Sequence, residues 1–271
     1  MNEIFKYRAP TSRTELLALL ADHGEGARVL AGGTDLLVDI RSGLIQPEMV
    51  VNLKRVEDLP TLTWSHSEGL VIGPATTVNE LMFDANVRGS YPLLADCALT
   101  LASHQLRNRA TVVGNIAHAS PGADMAPGLL CLGAHVVISS QRAQREMPLK
   151  DFFTGVKKTA LQHDEIIEAI VVPPGTAGAR GSYRKLKRIE GHDLSLVGVA
   201  ITKNDGAVRV SVSSAAPTPV LVEGLAEDDP ADAIVAAVQG AIRPISDLRC
   251  SKDYREYMVE VFVRRLLKEV A

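Results

Sequence analysis

A double proline, Pro173-Pro174, constrains this 271-residue chain more than any other feature. It stops the β-branched run EIIEAIVV, because proline cannot donate to a sheet ladder. The pattern of elements differs on its two sides. Before it, short apolar runs alternate with helical stretches. After it comes GTAGARGS (175–182), rich in small residues, which reads as a linker or boundary. Beyond lie LSLVGVAIT and AVRVSVSSA on either side of KNDG. Asn204-Asp205-Gly206 is a strong signal for a tight antiparallel hairpin. Two helical runs, ADAIVAAVQGAI and DYREYMVEVFVRRLLKEV, complete this half.

The first half opens with a helix. Ser12 and Glu15 form a capping box, and Leu16, Leu17, Leu19 and Leu20 make one apolar face. ARVLAGG reads as a strand ending on Gly32-Gly33. MVVNL (49–53), GLVIGP (69–74), GAHVVISS (133–140) and EIIEAIVV (165–172) read as further strands, and NELMFDANV and YPLLADCALTLAS as helices. In the last helix, Tyr254, Tyr257, Met258, Val261, Phe262 and Val263 to Leu266 form a broad apolar stripe. The expectation is two α+β units that share a surface, a usual place for a cofactor cleft.

Composition narrows the function. The formal net charge of −3 gives no general attraction to nucleic acid or anionic membrane. The three cysteines, Cys97, Cys131 and Cys250, lie far apart and match no metal-ligand spacing. Three cannot all pair within one chain, which suits a reducing cytosol. No apolar run is long enough to span a bilayer, and MNEIFKYRAP lacks a signal core. A cytoplasmic protein is expected.

Two loops carry the chemistry. LAGGTDLL (30–37) runs a strand into two glycines, then Thr34 and Asp35. Successive N–H groups of such a loop can form a concavity for phosphate oxygens. A tight turn with an aspartate cap on the next element is the simpler reading. The second loop, TVVGNIAHASPGAD (111–124), begins like a strand and breaks at Gly114-Asn115. Thr111, Asn115, His118 and Ser120 offer donors and acceptors. Asp124 can cap the following MAPGLLCL, or accept hydrogen bonds from ribose or ribityl hydroxyls. A polar Ω-loop with a Pro-Gly turn fits equally well. Neither GxGxxG nor GxxxxGK[ST] occurs, so a nucleotide site here has another design.

Taken together, AGGTDLL and RNRATVVGNIAHASPGADMAPGLLCLGAHV resemble the FAD-binding subunit of the molybdenum hydroxylases. That family includes the medium subunit of aerobic carbon monoxide dehydrogenase and the flavin domain of xanthine dehydrogenase. DEIIEAIVVPP, YRKLKRIEGHDLSLVGVAI, SSAAPTPV and SDLRCSKDYREYMVEVFVRRLL extend the resemblance, in order, over nearly the whole chain.

The resemblance implies an α+β fold. A two-subdomain FAD-binding domain of the vanillyl-alcohol-oxidase (PCMH) type would span 1–175, divided near 57, and a smaller α+β domain 176–271. It implies non-covalent FAD. Ala31, Gly32, Gly33, Thr34, Asp35 and Leu36 match the loop that holds the pyrophosphate. Thr111, Gly114, Asn115, His118 and Asp124 match the second FAD loop. Ile166 and Ile167 match a strand near the cofactor wall. Lys185 matches a lysine close to the pyrimidine edge of the flavin, where a cation raises its potential. His192 stands where another ring covers the flavin in some members. The Arg107-Asn108-Arg109 run is open to three readings: partner contact, flavin phosphate or a salt-bridged turn.

One departure stands out. Members commonly have Gly-Gly at the centre of the second loop, and here the first position is Val113. Either that backbone is extended, or the loop approaches the phosphates less closely. The implied partners are a small subunit with two [2Fe–2S] clusters and a large subunit with the molybdenum cofactor, assembled as a dimer of heterotrimers. An external acceptor would take the electrons. A flavin-free module of the same fold and a stand-alone FAD oxidase are the alternatives.

Overall fold

The computed structural model describes residues 5–271. Three sheets follow one another along the chain. The first is small and parallel: β1 (Lys6–Arg8), β2 (Ala27–Leu30) and β3 (Met49–Asn52), in the order β1-β3-β2. Helix α1 (Arg13–His23) packs Leu16, Leu17 and Leu20 against Ala27, Met49 and Val51. Ser12 caps it through Glu15 N–H, as expected, but the Glu15 carboxylate reaches back to Thr11 N–H rather than to Ser12. A short helix, α2 (Leu36–Arg41), follows the first glycine loop.

The second sheet is antiparallel. It comprises β4 (Thr63–Ser65), β5 (Gly69–Ile72), β6 (His135–Ser139), β7 (Gln144–Pro148) and, after the small hairpin β8 (Phe153–Gly155) and β9 (Lys158–Thr159), β10 (Ile166–Val172). The order is β4-β5-β10-β6-β7. The central β10 is apolar and buried over nearly its whole length, as a fully covered strand must be. Six short helices lie between β5 and β6: α3 (Val78–Phe83), α4 (Ala85–Ser90), α5 (Pro92–Thr100), α6 (His104–Arg107), α7 (Val112–Ala117) and α8 (Ala126–Cys131). A one-turn helix, α9 (Leu149–Phe152), follows β7. Glu168 on β10 joins this sheet to α1. It pairs with Arg13 at 2.8 Å and accepts from Ser139 Oγ.

The third sheet is a meander of β11 (Arg180–Leu186), β12 (Val197–Asn204), β13 (Ala207–Ser213) and β14 (Val220–Ala226). The turn of the expected hairpin falls at Asp205 and Gly206, both with positive φ, between the paired residues Asn204 and Ala207. One face, with Val197, Val199, Ile201, Val210 and Val212, packs on α10 (Ala231–Ala241) and α11 (Lys252–Glu269). Tyr183 and Ala200 on the other face join the core of the second sheet with Leu93, Cys97 and Leu130.

Three expectations need correction. The 175–182 segment is not a free linker, since β11 begins at Arg180 and lies against α5. The stripe on α11 is rotated: Arg255, Val259, Phe262, Val263 and Leu266 are buried, while Tyr254 and Tyr257 are exposed. The start of the second loop is not a strand. Residues 112–117 are helical, and Thr111 caps the helix by accepting from Gly114 N–H at 3.0 Å. Among the described residues, no helix is long and apolar enough to cross a membrane.

Candidate functional site

The first glycine loop follows directly from β2. Gly33 has φ +75°, a conformation that costs little only without a Cβ. Gly32 lies flat against the segment just ahead of the second loop: a Cβ there would fall 2.1 Å from the Arg109 carbonyl oxygen. The first loop therefore touches residues 109–110 through main chain. Among the described residues, the N–H groups of Gly32, Gly33, Thr34 and Asp35 donate to no other protein group. Such a row of unpaired donors survives only where water or a ligand satisfies it. The expected aspartate cap is absent, as the Asp35 side chain makes no hydrogen bond to α2.

The second loop spends its polar groups on its own shape. Asn115 Oδ1 accepts from Met125 N–H at 3.2 Å and so holds the start of α8. Asp124, expected as that cap, turns instead to Lys185 at 2.9 Å and to the Tyr183 hydroxyl. Burial pushes the Asp124 carboxyl above its ordinary value, and Lys185 pulls it part of the way back. Lys185 Nζ also donates to the Thr100 carbonyl, and its side chain is 2% exposed. Burial, with Asp124 beside it, raises the Tyr183 phenol well above its usual range. His118 reaches across to the first loop and α2. Its Nδ1 lies 3.8 Å from Asp35 and its Nε2 3.9 Å from Asp39, but Nε2 has no hydrogen-bond partner.

Between the loops and the third sheet lies a cavity of about 680 Å³. That volume accommodates a large cofactor. Ala31 to Leu36 form one wall, and Thr111, Gly114, Asn115, His118 and Asp124 another. Lys185 closes the inner end, and His192 stands exposed at the rim. Ile166 and Ile167 are placed elsewhere. Both are buried in β10, in the first and second cores respectively, and neither lines the cavity.

Sequence reasoning missed several wall residues: Leu101, Ala102, Lys157 and Ser195. Leu101 and Ala102 belong to a corner fixed by Arg107. This arginine is neither a phosphate ligand nor a salt-bridged surface group. It is buried, donates to the Leu99 and Leu101 carbonyls, and reaches Asn79 Oδ1. Among the described residues, neither Arg107 nor Arg109 makes an ion pair. Lys54 braces the first loop from behind by donating to the Ala31 carbonyl at 2.7 Å; burial and the nearby Arg109 lower its pKa. Val113 is not extended, and it does not line the cavity. It occupies the first turn of α7 and is buried, so no positive φ is asked of it.

The family model for the FAD-binding domain of molybdopterin dehydrogenases matches residues 3–175. The chain belongs to this family. The carbon monoxide dehydrogenase medium chain of Hydrogenophaga pseudoflava is 34% identical over 278 residues, covering 97% of this chain and 96% of that one. A putative xanthine dehydrogenase FAD-binding subunit of Escherichia coli (strain K12) is 30% identical, with 99% and 97% covered. In three dimensions the flavin-domain family resemblance holds throughout. A chain of the Cu,Mo-CO dehydrogenase in its cyanide-inactivated form superposes with a TM-score of 0.91 at 30% identity, over 98% of this chain and 97% of that one. Quinoline 2-oxidoreductase from Pseudomonas putida 86 gives 0.88 at 26% identity, over 98% and 96%. The fold is thus the mixed helix-and-sheet FAD-binding fold of these oxidoreductase subunits.

The cavity suits FAD on its own chemistry. A diphosphate needs several convergent donors, and the unpaired N–H groups of 32–35 supply them without a lysine-rich wall. His118 and Ser195 line the same space, with His118 Nε2 and Ser195 Oγ buried and without a hydrogen-bond partner. Among the described residues, no cluster of three or more His, Cys, Asp or Glu side chains is arranged to hold a metal.

Proposed function

We propose that this chain carries electrons, through non-covalent FAD, between an iron–sulfur partner and an external acceptor. The molybdenum cofactor and the substrate chemistry reside on a large partner subunit, and two [2Fe–2S] clusters on a small one. The assembly is a cytoplasmic heterotrimer, doubled. Residues 1–175 form the flavin domain and 176–271 a smaller C-terminal domain that closes the cavity.

The observation that carries this reading is the row of N–H groups at Gly32 to Asp35, unpaired among the described residues, in a segment that lines a cavity also walled by 111–124 and Lys185. Gly32, Gly33, Thr34 and Asp35, flanked by Ala31 and Leu36, would hold the pyrophosphate. Thr111, Gly114, Asn115 and His118 would close over it. Lys185 and Asp124 would face the flavin end as a pair, so the lysine's charge is partly compensated rather than free. His192 would cover the ring from the rim. When bound, FAD supplies the capacity to accept single electrons and to release a pair. The chain itself supplies no nucleophile or general acid. It binds, orients and shields.

The test uses the intact complex. Acid should release about one FAD per chain. With the flavin stripped, substrate should still reduce the iron–sulfur clusters while electron delivery to the acceptor stops. Unchanged delivery from a flavin-free complex would defeat the proposal.

A further inference from the structure

A lysine of the small hairpin β8–β9 stands where the turn favours a different residue. Gly155 pairs with Lys158, so Val156 and Lys157 form a two-residue turn. Lys157, the second of them, has φ +53°. Glycine or asparagine is the usual occupant of such a position, because a Cβ crowds the backbone there. The lysine is nevertheless pinned: its N–H donates to the Ala119 carbonyl at 3.0 Å. Ala119 lies in the second loop, is 1% exposed, and has φ +49° itself. Two residues that carry side chains thus hold each other in a left-handed conformation that neither favours. Such outliers concentrate at functional sites.

What the turn presents is a cation at the cavity. Lys157 lines it, with its side chain 46% exposed. Its ammonium lies 3.9 Å from Asp39 Oδ2, too far for a hydrogen bond. Asp39 stands one helical turn from Asp35, whose carbonyl accepts the Asp39 N–H at 2.9 Å. The ammonium therefore sits beside the α2 end of the first loop. Two other lysine or arginine side chains line the cavity, and both are committed. Lys185 is paired with Asp124, and Arg28 turns back onto the Glu25 and Ala27 carbonyls. Among the described residues, Lys157 is the one of the three whose side chain makes no hydrogen bond. Asp35 and Asp39 also bring two carboxylates close to the row of free N–H groups. An anion brought there meets a repulsion that a nearby ammonium offsets.

We infer that Lys157 is a further ligand-binding residue of the cavity: its ammonium contacts the diphosphate held by the N–H groups of 32–35, and the Ala119 carbonyl positions it. This rests on the flavin reading above. A flexible four-carbon stem lets the ammonium leave Asp39 for a phosphate oxygen while the turn stays in place. It supplies a point charge where the main chain supplies directed donors, so the two are complementary rather than redundant. The inference also gives a task to the hairpin β8–β9, which pairs with no larger sheet. It is the arm that carries the cation to the first loop, braced on the second.

The experiment is a titration of FAD into the flavin-stripped complex, read by the change in flavin fluorescence. Lys157→Met keeps the length of the side chain and removes its charge. It should weaken FAD binding about tenfold at low salt, the loss of one charge-assisted contact. In about 0.5 M salt, which screens such contacts, the difference from wild type should shrink to about threefold. Lys157→Gly removes the charge and relaxes the turn. It should lose affinity to the same extent, while the stripped variant melts no lower than the stripped wild type. Wild-type affinity in Lys157→Met overturns the inference, and so does a loss of equal size at both salt concentrations. Where Lys157→Met also lowers the melting point of the stripped complex, Lys157→Gly decides: retained affinity overturns the inference and lost affinity upholds it. A wild-type complex that binds no FAD defeats the flavin reading itself, a distinguishable result.

Discussion

The two loops that meet at the cavity solve opposite problems. The first, 30–36, leaves donors free: among the described residues, four consecutive N–H groups make no bond to protein. The second, 111–124, ties three of its polar side chains to protein groups. Thr111 caps α7, Asn115 holds Met125, and Asp124 pairs with Lys185. One loop offers backbone to a ligand, and the other is a rigid wall against which that offer is made. The glycine of contact, Gly32, serves the packing of the first loop on residues 109–110, at the entry to the second, as much as the approach of a cofactor. A glycine-rich motif and a polar motif can look equivalent on paper while one binds through what is missing and the other through what is fixed.

The contrast can be broken most severely at Gly32. Gly32→Ala drives a Cβ into the Arg109 carbonyl, backbone against backbone, and should cost about 3 kcal/mol of stability. Flavin per chain should fall more than tenfold, as read by acid release and by urea unfolding. Val113→Gly comes next. If the second loop worked by close main-chain approach, restoring the family's glycine would tighten FAD. A buried helical valine would instead be lost, so we expect about 2–3 kcal/mol of destabilisation and no gain in affinity. Tighter binding in a fluorescence titration would collapse the distinction between the loops.

Smaller effects sharpen it. Thr111→Val and Asn115→Ala each remove one internal hydrogen bond of the wall and should cost about 1 kcal/mol. Both should raise the rate of FAD loss by a few-fold, while the flavin-stripped chain keeps its fold by circular dichroism. The mildest change is Asp124→Asn. The folded-state carboxyl lies above its ordinary value, so the native state holds its proton to higher pH than the unfolded chain. Ionising Asp124 therefore costs stability. That cost is absent below the unfolded value near 4 and grows as pH rises towards the raised folded value. The stripped wild type should lose stability over that window relative to Asp124→Asn, and the two curves should converge at lower pH. Parallel curves would show that folding does not raise the Asp124 carboxyl.

Much of this is legible in the sequence. The Gly32-Gly33 loop, the hairpin at Asp205-Gly206 and the buried run of β10 each follow from local chemistry that tertiary contacts do not override. What was hidden depended on distant partners. Thr111-Val112-Val113 reads as a strand by β-branching, yet the Thr111 cap and burial against the second core make it helical. Arg255 interrupts an apolar face and looks like a surface residue, until the carbonyls of Leu196 and Ser214 are seen to receive it. Burying that guanidinium turns the helix and leaves Tyr254 and Tyr257 outside. Ile166 and Ile167 follow the same logic: a strand central to a sheet feeds the cores on its faces, not the cavity.

The cavity is walled by segments near residues 32, 115, 185 and 195, and the last of these is gripped by an arginine at 255. A nascent polypeptide emerging from the ribosome thus owns no complete pocket until almost its final helix has been made. Cofactor capture must trail translation, and ribosome-stalled chains ending before Ser195 should wash free of flavin while released full-length chains retain it.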